Sequence, residues 1–284
     1  MTLRAYRRVA LVAFVSLYAI VVTGALVRLT GSGLGCVDWP ACNESRFIDV
    51  STGHAAIEQL NRLFTGVVAA SVIVAVLAGL RVTPRPPRLL ALALWLVVGV
   101  LAQVVIGGVV VLTGLNPWSN VAHYLVSVVL MTGAWALWRV ARAAPRATAA
   151  TPWRWPMIVL GGAAIVAGTI VTGAGPHAGD EEAIRIGVTI RDAARVHGAL
   201  VWATLAAAAV VVWSGRSEAA VRRSGWTVVG VGAAQTAVGY AQYATGLPVP
   251  LVAIHVAGSI AVWLALLGLW AASGGWGPGV RVLD

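Results

Sequence analysis

Residues 102–123 read AQVVIGGVVVLTGLNPWSNVAH, and residues 234–255 read AQTAVGYAQYATGLPVPLVAIH. The two stretches align at a constant offset without a gap, and each ends on a histidine. From Gln103 onward, the identical pairs are Gln103/Gln235, Gly107/Gly239, Thr113/Thr245, Gly114/Gly246, Leu115/Leu247 and His123/His255. Such a recurrence indicates a duplicated half. We predict that each copy consists of an apolar helix, a Thr-Gly-Leu turn and a second apolar helix with a histidine near its start.

The composition excludes a soluble globular protein. Hydrophobic residues make up 59% of the chain and charged residues only 11%, as is typical of membrane proteins that cross the bilayer several times. The apolar run of residues 9–27 follows three arginines, but it is too long for the core of a signal peptide, and no clear cleavage site follows it. We therefore predict that this run is a retained first membrane helix.

Eight segments have the length and the apolar composition of a membrane helix, which needs about 20 residues. They are residues 9–29, 56–80, 89–112, 119–138, 155–173, 193–214, 226–244 and 250–272. The segments predict an all-α polytopic membrane protein. They also divide into two sets of four, which follow the duplication.

The charged residues between these segments predict the orientation. One side of the membrane receives Arg4, Arg7, Arg8, Arg81, Arg85, Arg88, Arg139, Arg142, Arg146, Arg154, Arg216, Arg222, Arg223 and Arg281. The other side receives Asp38, Glu44, Asp49, Asp180, Glu181, Glu182 and Asp192. The positive-inside rule then places both termini in the cytoplasm. The net charge of +10 is thus explained by topology, and it does not indicate nucleic-acid binding.

The predicted architecture is a pair of pseudosymmetric four-helix bundles in parallel repeat. The first bundle occupies residues 1–140 and the second residues 155–284, with a Pro- and Ala-rich cytoplasmic linker at 141–154. Both halves start on the same side of the membrane, which distinguishes this repeat from the inverted repeats of many transporters.

Three histidines are predicted to lie at one depth in the membrane. His123, His197 and His255 each fall about one turn into a helix that runs inward from the outer side, and Asn61 takes the matching place in the second helix. Two parallel helices present His197 and His255 at the same level, as a haem with two axial imidazoles requires. The alternative is a packing or hydrogen-bonding role, although ionisable side chains inside membranes are often functional.

Glu58 is the only carboxylate predicted inside or at the rim of a membrane helix, and it shares a helix face with Asn61. Such a carboxylate can accept a proton in catalysis. The structural alternative is an acid at a helix N-terminus or an ion pair with Arg62 or Arg28. Arg28, Arg62 and Arg195 lie at the same outer depth. They suit the propionates of a haem, and simple snorkelling explains them as well.

The outer loops contain the remaining candidate residues. Cys36 and Cys42 are the only cysteines, and both fall in the first outer loop. The outer side is oxidising, which favours a disulfide, while two free thiols stay the alternative. His54 and His177 lie in the outer loops or at their edge, where a solvated or loop-stabilising role is favoured.

Several motifs resemble those of the haem A synthase family of bacteria and mitochondria. They are LTGSGLGCVDWPAC (29–42), EQLNR (58–62), VAHYL (121–125), GAGPHAGD (173–180), RVHGAL (195–200) and AIH (253–255). The resemblance covers nearly the whole chain, and the GSGLGC-x-DWP-x-C loop followed by E-x-x-(H/N)-R is its most specific part. It implies eight helices in two bundles and oxidation of the C8 methyl group of haem O to a formyl group, giving haem A for terminal oxidases.

The resemblance also implies roles for individual residues. His197 and His255 match the ligands of a haem b cofactor in the second half, and His123 matches the substrate haem site in the first. Glu58 matches the catalytic acid. The two cysteines match a loop disulfide. Many members of the family have a second substrate-side histidine where this chain has Asn61.

The expected setting is the plasma membrane of a bacterium. The expected partners are haem O, haem O synthase, assembly factors of a terminal oxidase and membrane lipid, and an oligomer is compatible with the sequence. The rival interpretations are a membrane haem b protein that only transfers electrons and a haem carrier without catalysis. A haem O synthase is disfavoured because the chain has no paired D-x-x-x-D motif for a prenyl diphosphate–magnesium site.

Overall fold

The computed structural model describes residues 1–143 and 150–275. Eight long helices follow one another in these ranges. They are Leu3–Leu29 (α1), Gly53–Leu80 (α2), Pro87–Leu112 (α3), Pro117–Ala141 (α4), Arg154–Ala174 (α5), Ile190–Ser214 (α6), Ala219–Ala244 (α7) and Val249–Trp270 (α8). Apart from a single bridge between Asn43 and Arg46, the described ranges contain no β-structure. The predicted all-α fold with eight helices is therefore confirmed.

The helix starts extend a few residues beyond the predicted apolar runs because polar residues cap them. The hydroxyl oxygens of Thr2, Thr52 and Thr189 accept the first free backbone N–H groups of α1, α2 and α6, as capping residues do. Proline occupies the first turn of α3, α4 and α8, where it lacks only an N–H that would have no helical partner.

Seven helices are long and apolar enough to cross a membrane, so the chain is a multi-pass membrane protein. Helix α7 is the exception among the described helices. It carries Arg222 and Arg223 near its start and then a series of Gly, Ala, Gln and Thr residues, which lowers its mean hydropathy. Membrane crossing by this eighth segment stays a prediction.

The described chain divides into two compact units. The first contains α1–α4 together with residues 175–187 of the long connection between α5 and α6, and the second contains α5–α8. The sequence alone assigned that connection to the second half. The predicted linker at 141–154 lies partly outside the described residues, because 144–149 are not among them.

Each unit has the same order of neighbouring helices. In the first, α1 and α3 each pack against both α2 and α4. In the second, α5 and α7 each pack against both α6 and α8. The helices that carry Asn61 and His123 thus lie across the first unit from each other, and those that carry His197 and His255 lie across the second.

The apolar core of the second unit lies at one end. Met157, Val211, Val221 and Leu266 are buried there, at the start of α5 and α7 and towards the end of α6 and α8. In the first unit, fully buried Tyr6, Leu89, Met131 and Leu137 lie at the corresponding ends of their helices. The polar candidate residues Asn61, His123, His197 and His255 lie towards the opposite end of each unit.

Candidate functional site

The second unit brings His197 of α6 and His255 of α8 face to face. Their ring centroids are 6.3 Å apart, and the ring planes are inclined by 77°. The Nδ1 atom of His197 is 2.9 Å from the carbonyl oxygen of Ala164 on α5. The Nδ1 atom of His255 is 3.0 Å from the side-chain nitrogen of Gln235 on α7, which also donates to the His255 carbonyl oxygen at 2.7 Å.

This arrangement fits a metal ion between the two rings. Two metal–imidazole bonds of about 2 Å each, as in zinc sites, together with the two ring radii, require a centroid separation of about 6 Å. A ligating histidine also needs a partner for its second ring nitrogen. The Ala164 carbonyl accepts a hydrogen from Nδ1 of His197, which leaves Nε2 of that ring free to bind.

A glycine on the neighbouring helix makes room for each candidate ring. A Cβ atom on Gly168 or on Gly239 would lie 3.1 Å from Cε1 of His197 or His255, respectively. In the first unit, a Cβ atom on Gly107 would lie 3.6 Å from Cε1 of His123. Sequence reasoning did not assign these glycines a role, although the identity of Gly107 and Gly239 in the repeat was a signal for two of them.

In the first unit, His123 has a buried Nδ1 atom with no hydrogen-bond partner among the described residues. Its carbonyl oxygen accepts from the side chain of Gln103 at 3.0 Å, as the His255 carbonyl does from Gln235. The Gln103 side-chain nitrogen also donates to the Ser127 hydroxyl oxygen, whereas the Gln235 nitrogen lies beside the ring of its histidine. A ring nitrogen without a partner is costly in a buried place, and such a nitrogen is suited to bind a metal ion.

Asn61 is oriented by α1. Its Oδ1 atom accepts a hydrogen bond from the Thr23 hydroxyl at 2.8 Å, and its Nδ2 atom would lie 3.9 Å from a Cβ atom on Gly24. The amide oxygen is therefore engaged, and the Nδ2 group is the part of the side chain with donors to offer.

Glu58 forms the ion pair with Arg62 that the sequence left as one of two alternatives. One carboxylate oxygen accepts from Nε and Nη2 of Arg62 at 3.0 and 2.6 Å, and the other accepts from the Cys36 backbone N–H at 2.8 Å. The remaining Arg62 donors bond to the carbonyl oxygens of Asp38, Ala41 and Cys36. The guanidinium is thus fully occupied in holding residues 30–52, the disulfide loop, on α2, and it has no spare donor for a haem propionate.

The predicted disulfide between Cys36 and Cys42 is present. The loop that contains it packs closely on α2, because a Cβ atom on Gly35 would lie 2.3 Å from the backbone oxygen of His54. His54 itself has its Nδ1 atom 2.9 Å from the Ser32 hydroxyl, which is the loop-stabilising role that the sequence favoured.

Further along the loop, hydrogen bonds from Ser51 lower the pKa of Asp49 to about 2.

The other two arginines predicted to contact propionates have different surroundings. Arg28 is near the end of α1 and lines a pocket of about 330 Å³, together with residues of the 175–187 segment. Arg195 has a side chain that is 71% exposed and lies 3.6 Å from Asp192. Arg28 therefore faces a pocket, whereas Arg195 lies at an exposed helix end.

The 175–187 segment is docked on the first unit, where we refer to it as the docked loop. The backbone N–H of Gly33 donates to the Gly179 carbonyl oxygen at 2.9 Å. Leu115 packs between them, since its side chain would be 3.0 Å from a Cβ atom on either glycine. Ala178 and Ala183 are buried against the same leucine.

The fold and the facing histidines are those of a helical membrane protein with a candidate haem site. Residues 7–55, which cover α1 and the disulfide loop, match the COX15-CtaA family model, described as cytochrome oxidase assembly protein.

The curated relatives carry the name heme A synthase. The protein of Geobacillus thermodenitrificans is 36% identical over 106 residues, which are 37% of this chain and 33% of the relative. That of Lysinibacillus sphaericus is 34% identical over 121 residues, or 42% of this chain and 39% of the relative. The matched part thus spans between a third and two fifths of these relatives. The resemblance to the haem A synthase family is thus confirmed over this matched part of the chain.

Proposed function

We propose that this protein is a membrane oxidoreductase of haem A biosynthesis, which oxidises the C8 methyl group of haem O to a formyl group. The relatives named heme A synthase support the pathway. The facing rings of His197 and His255 are the observation that carries a haem-dependent mechanism. The haem A produced would serve a terminal oxidase.

The second half is proposed to hold a haem b cofactor. His197 and His255 would hold its iron, while the Ala164 carbonyl orients one ring and Gln235 holds the backbone beside the other. The bound iron would supply one-electron redox chemistry. The chain's own contribution is to fix both rings at the separation that such an ion needs and to close the other end of the unit with an apolar core.

The first half is proposed to bind the substrate. His123 would hold haem O through its ring, and the amide of Asn61, held by Thr23, would lie across the unit from it. Glu58 is the proposed catalytic carboxylate. Its contacts with Arg62 and with the Cys36 N–H mean that any proton transfer at this carboxylate is coupled to the anchoring of the disulfide loop.

The two units are proposed to be pseudosymmetric four-helix bundles that arose by duplication, as halves 1–140 and 155–284. Their Thr-Gly-Leu turns support this view. Gly114 and Leu115 have φ angles of 60° and 59°, and Gly246 and Leu247 have 80° and 62°. A left-handed leucine is uncommon, so its occurrence at both repeated positions favours a common origin.

The proposed location is a bacterial plasma membrane with both termini in the cytoplasm. The connections from α2 to α3 and from α6 to α7 carry arginines, while the disulfide loop and the docked loop carry most of the acidic residues, in agreement with the positive-inside rule. Arg146 and Arg281 belong to the same pattern and lie outside the described residues. The proposed partners are haem O synthase, which supplies the substrate, and assembly factors of a terminal oxidase.

The decisive experiment is haem extraction and chromatography from bacterial membranes that contain haem O and lack their own haem A synthase. Formyl haem is expected when this protein is expressed, and it is expected to disappear with His123→Ala. A protein that is folded and haem-loaded but gives no formyl haem would refute the proposed reaction.

An electron-transfer or haem-carrying protein is the second candidate, and one observation favours it. Both Glu58 carboxylate oxygens are already engaged in contacts that hold the disulfide loop, which a purely structural carboxylate would also show. In that case the protein would bind haem b through His197 and His255, and haem O would leave the membranes unchanged.

A further inference from the structure

The docked loop makes a pocket with α1, and its lining includes Arg28, one of the arginines predicted to contact propionates. The pocket measures about 330 Å³, at the lower end of the range for ligand pockets. It is too small for a whole tetrapyrrole and sufficient for carboxylate arms. Its wall is formed by Arg28 and Gly31 near the end of α1 and by His177 and Arg185 of the docked loop.

Arg185 presents a full positive charge to this pocket. Its side-chain donors bond to the backbone carbonyl oxygens of Ala183, Pro176 and Asp180. Carbonyl oxygens position a guanidinium but do not neutralise it, and no ion pair of Arg185 occurs among the described residues. Arginine fixed in this way is suited to bind carboxylates through its planar fork of donors.

The acidic residues in the wall do not cancel this charge by a direct contact. Asp180 uses a carboxylate oxygen to accept the Glu182 backbone N–H at 2.9 Å. The Glu181 side chain is exposed. The wall also contains the half-buried cation Arg28, on the helix that holds Asn61 through Thr23.

Arg28, in the wall of the pocket, lies about one helical turn along α1 from the level of Asn61. Gly24 stands against Asn61, and Arg28 follows it by four residues on the same face of α1, which is about 6 Å along the helix axis. A macrocycle held at the level of Asn61 and His123 would therefore extend its propionates towards Arg28 and the docked loop.

Contacts within the protein hold the docked loop in place. Leu115 fills the space between Gly33 and Gly179, and a Cβ atom at either glycine would lie only 3.0 Å from it. Gly179 also has a φ angle of 106°, which residues other than glycine rarely adopt. The cationic wall is thus organised in advance, and binding does not have to order it.

We infer that Arg28 and Arg185 form a carboxylate clamp that binds the propionates of the tetrapyrrole substrate in the first half. The inference rests on the proposed function for its ligand. It assigns to the docked loop, which follows α5 in the chain, the recognition of a substrate held by α2 and α4.

The test compares haem with its dimethyl ester, in which both carboxylates are neutral, on the purified full chain in lipid nanodiscs. The first-half signal is the absorbance change that wild type shows and His123→Ala lacks. A charged hydrogen bond contributes about 1.5–3 kcal/mol, a factor of about ten or more. We expect wild type to prefer haem over the ester by about tenfold and Arg185→Gln to lose this preference, while Arg191→Gln, an exposed arginine at the start of α6, keeps it.

Two further measurements make the result decisive. Arg185→Lys retains the charge and is expected to retain part of the preference, which separates recognition from misfolding. Modification by phenylglyoxal, mapped by mass spectrometry, should be blocked at Arg185 by haem and not by the ester. Protection without any His123-dependent signal would support the clamp and refute ligation by His123. A His123-dependent signal with no ester discrimination and no protection would overturn the clamp and leave the proposed function intact.

Discussion

The imidazole rings of His197 and His255 face each other at a centroid distance of 6.3 Å and an interplanar angle of 77°. The position of each ring depends on the helix that carries it and on the neighbouring helix. Helices α6 and α8 lie across the second unit, and the glycines of α5 and α7 let the rings turn inward. The relationship therefore depends on four helices at once.

The glycines beside these histidines are predicted to control haem retention. Gly168→Ala and Gly239→Ala each place a methyl group 3.1 Å from an imidazole carbon, so the ring has to move. Changes around metal ligands commonly cost about 10–100-fold in affinity, and we expect haem retention to fall by about tenfold. The measurement is the haem-to-protein ratio and the low-spin absorption spectrum of the purified protein.

Matched controls exist on the same two helices. A Cβ atom on Gly162 of α5 or Gly230 of α7 has no neighbouring atom within 4 Å. Gly162→Ala and Gly230→Ala should keep the spectrum, and they should stabilise their helices by about 0.5–1 kcal/mol. Equal haem content in all four variants would show that the glycines do not position the rings.

The Glu58–Arg62 ion pair is predicted to stabilise the disulfide loop. The Glu58 side chain is 6% exposed and that of Arg62 19%, so Arg62→Met leaves a carboxylate buried without its partner. Removal of one member of a buried pair costs about 3–5 kcal/mol. Glu58→Gln keeps an acceptor for the Cys36 N–H and should cost less. Thermal unfolding of both variants checks the order.

Measuring haem A formation by Glu58→Gln distinguishes a catalytic role of Glu58 from a purely structural one. If the carboxylate is catalytic, this variant should retain the second-half haem and lose product. Wild-type amounts of haem A from a stable Glu58→Gln protein would leave Glu58 with the structural role alone.

The Cys36–Cys42 disulfide is predicted to add a modest stabilisation. Its sequence separation of 6 closes a short loop, for which chain entropy gives about 2 kcal/mol. The double variant Cys36→Ser/Cys42→Ser should lower the unfolding temperature, and mass mapping without reductant should link the two cysteines in wild type. Recovery of two alkylated thiols from untreated membranes would contradict the pairing.

Local patterns were sufficient for the helices and for part of the site. Long apolar runs between arginine-rich connections have few alternatives to membrane helices, and the disulfide needed only two cysteines in one oxidising loop. Composition predicted α7 as a membrane helix, and membrane crossing stays a prediction there because its small and polar residues lower its hydropathy. Composition could not decide between the catalytic role and the ion-pair role of Glu58, because the atoms that contact its carboxylate belong to Arg62 and to the backbone of Cys36.

The docked loop could not be predicted at all from local pattern. Its position depends on Gly179 meeting Gly33 and on Leu115 between them, contacts between residues far apart in the chain. For the same reason the sequence proposed Arg28, Arg62 and Arg195 as propionate contacts and did not consider Arg185.

Topology provides a further prediction that does not depend on the haem. Reporter fusions after Leu115 and after Thr189 should report the outer side, and a fusion after Arg85 should report the cytoplasm, because arginine-rich connections are retained inside. A cytoplasmic signal from the Leu115 fusion would reverse the proposed orientation.

Asn61 is predicted to leave the first-half haem with a single strong protein ligand. An amide oxygen is a poor iron ligand beside an imidazole, and the Asn61 oxygen already accepts from Thr23 at 2.8 Å. Asn61→His places an imidazole on α2, next to Gly24 and across the unit from His123, in the manner of the second unit. The haem O-loaded variant should therefore become six-coordinate and low-spin in the first half, while His123→Ala should lose substrate retention.

Thr23→Val is the companion variant, because it removes the hydroxyl that holds the Asn61 amide and introduces no ligand. It should leave the first-half spectrum free of a bis-imidazole signal and lower stability by about 1 kcal/mol, the contribution of one hydrogen bond. The second-half spectrum serves as the internal control in every sample. If wild type loaded with haem O already shows two nitrogen ligands in the first half, another residue supplies the second. His54 would then be tested first, and it would have to give up its contact with Ser32 to bind.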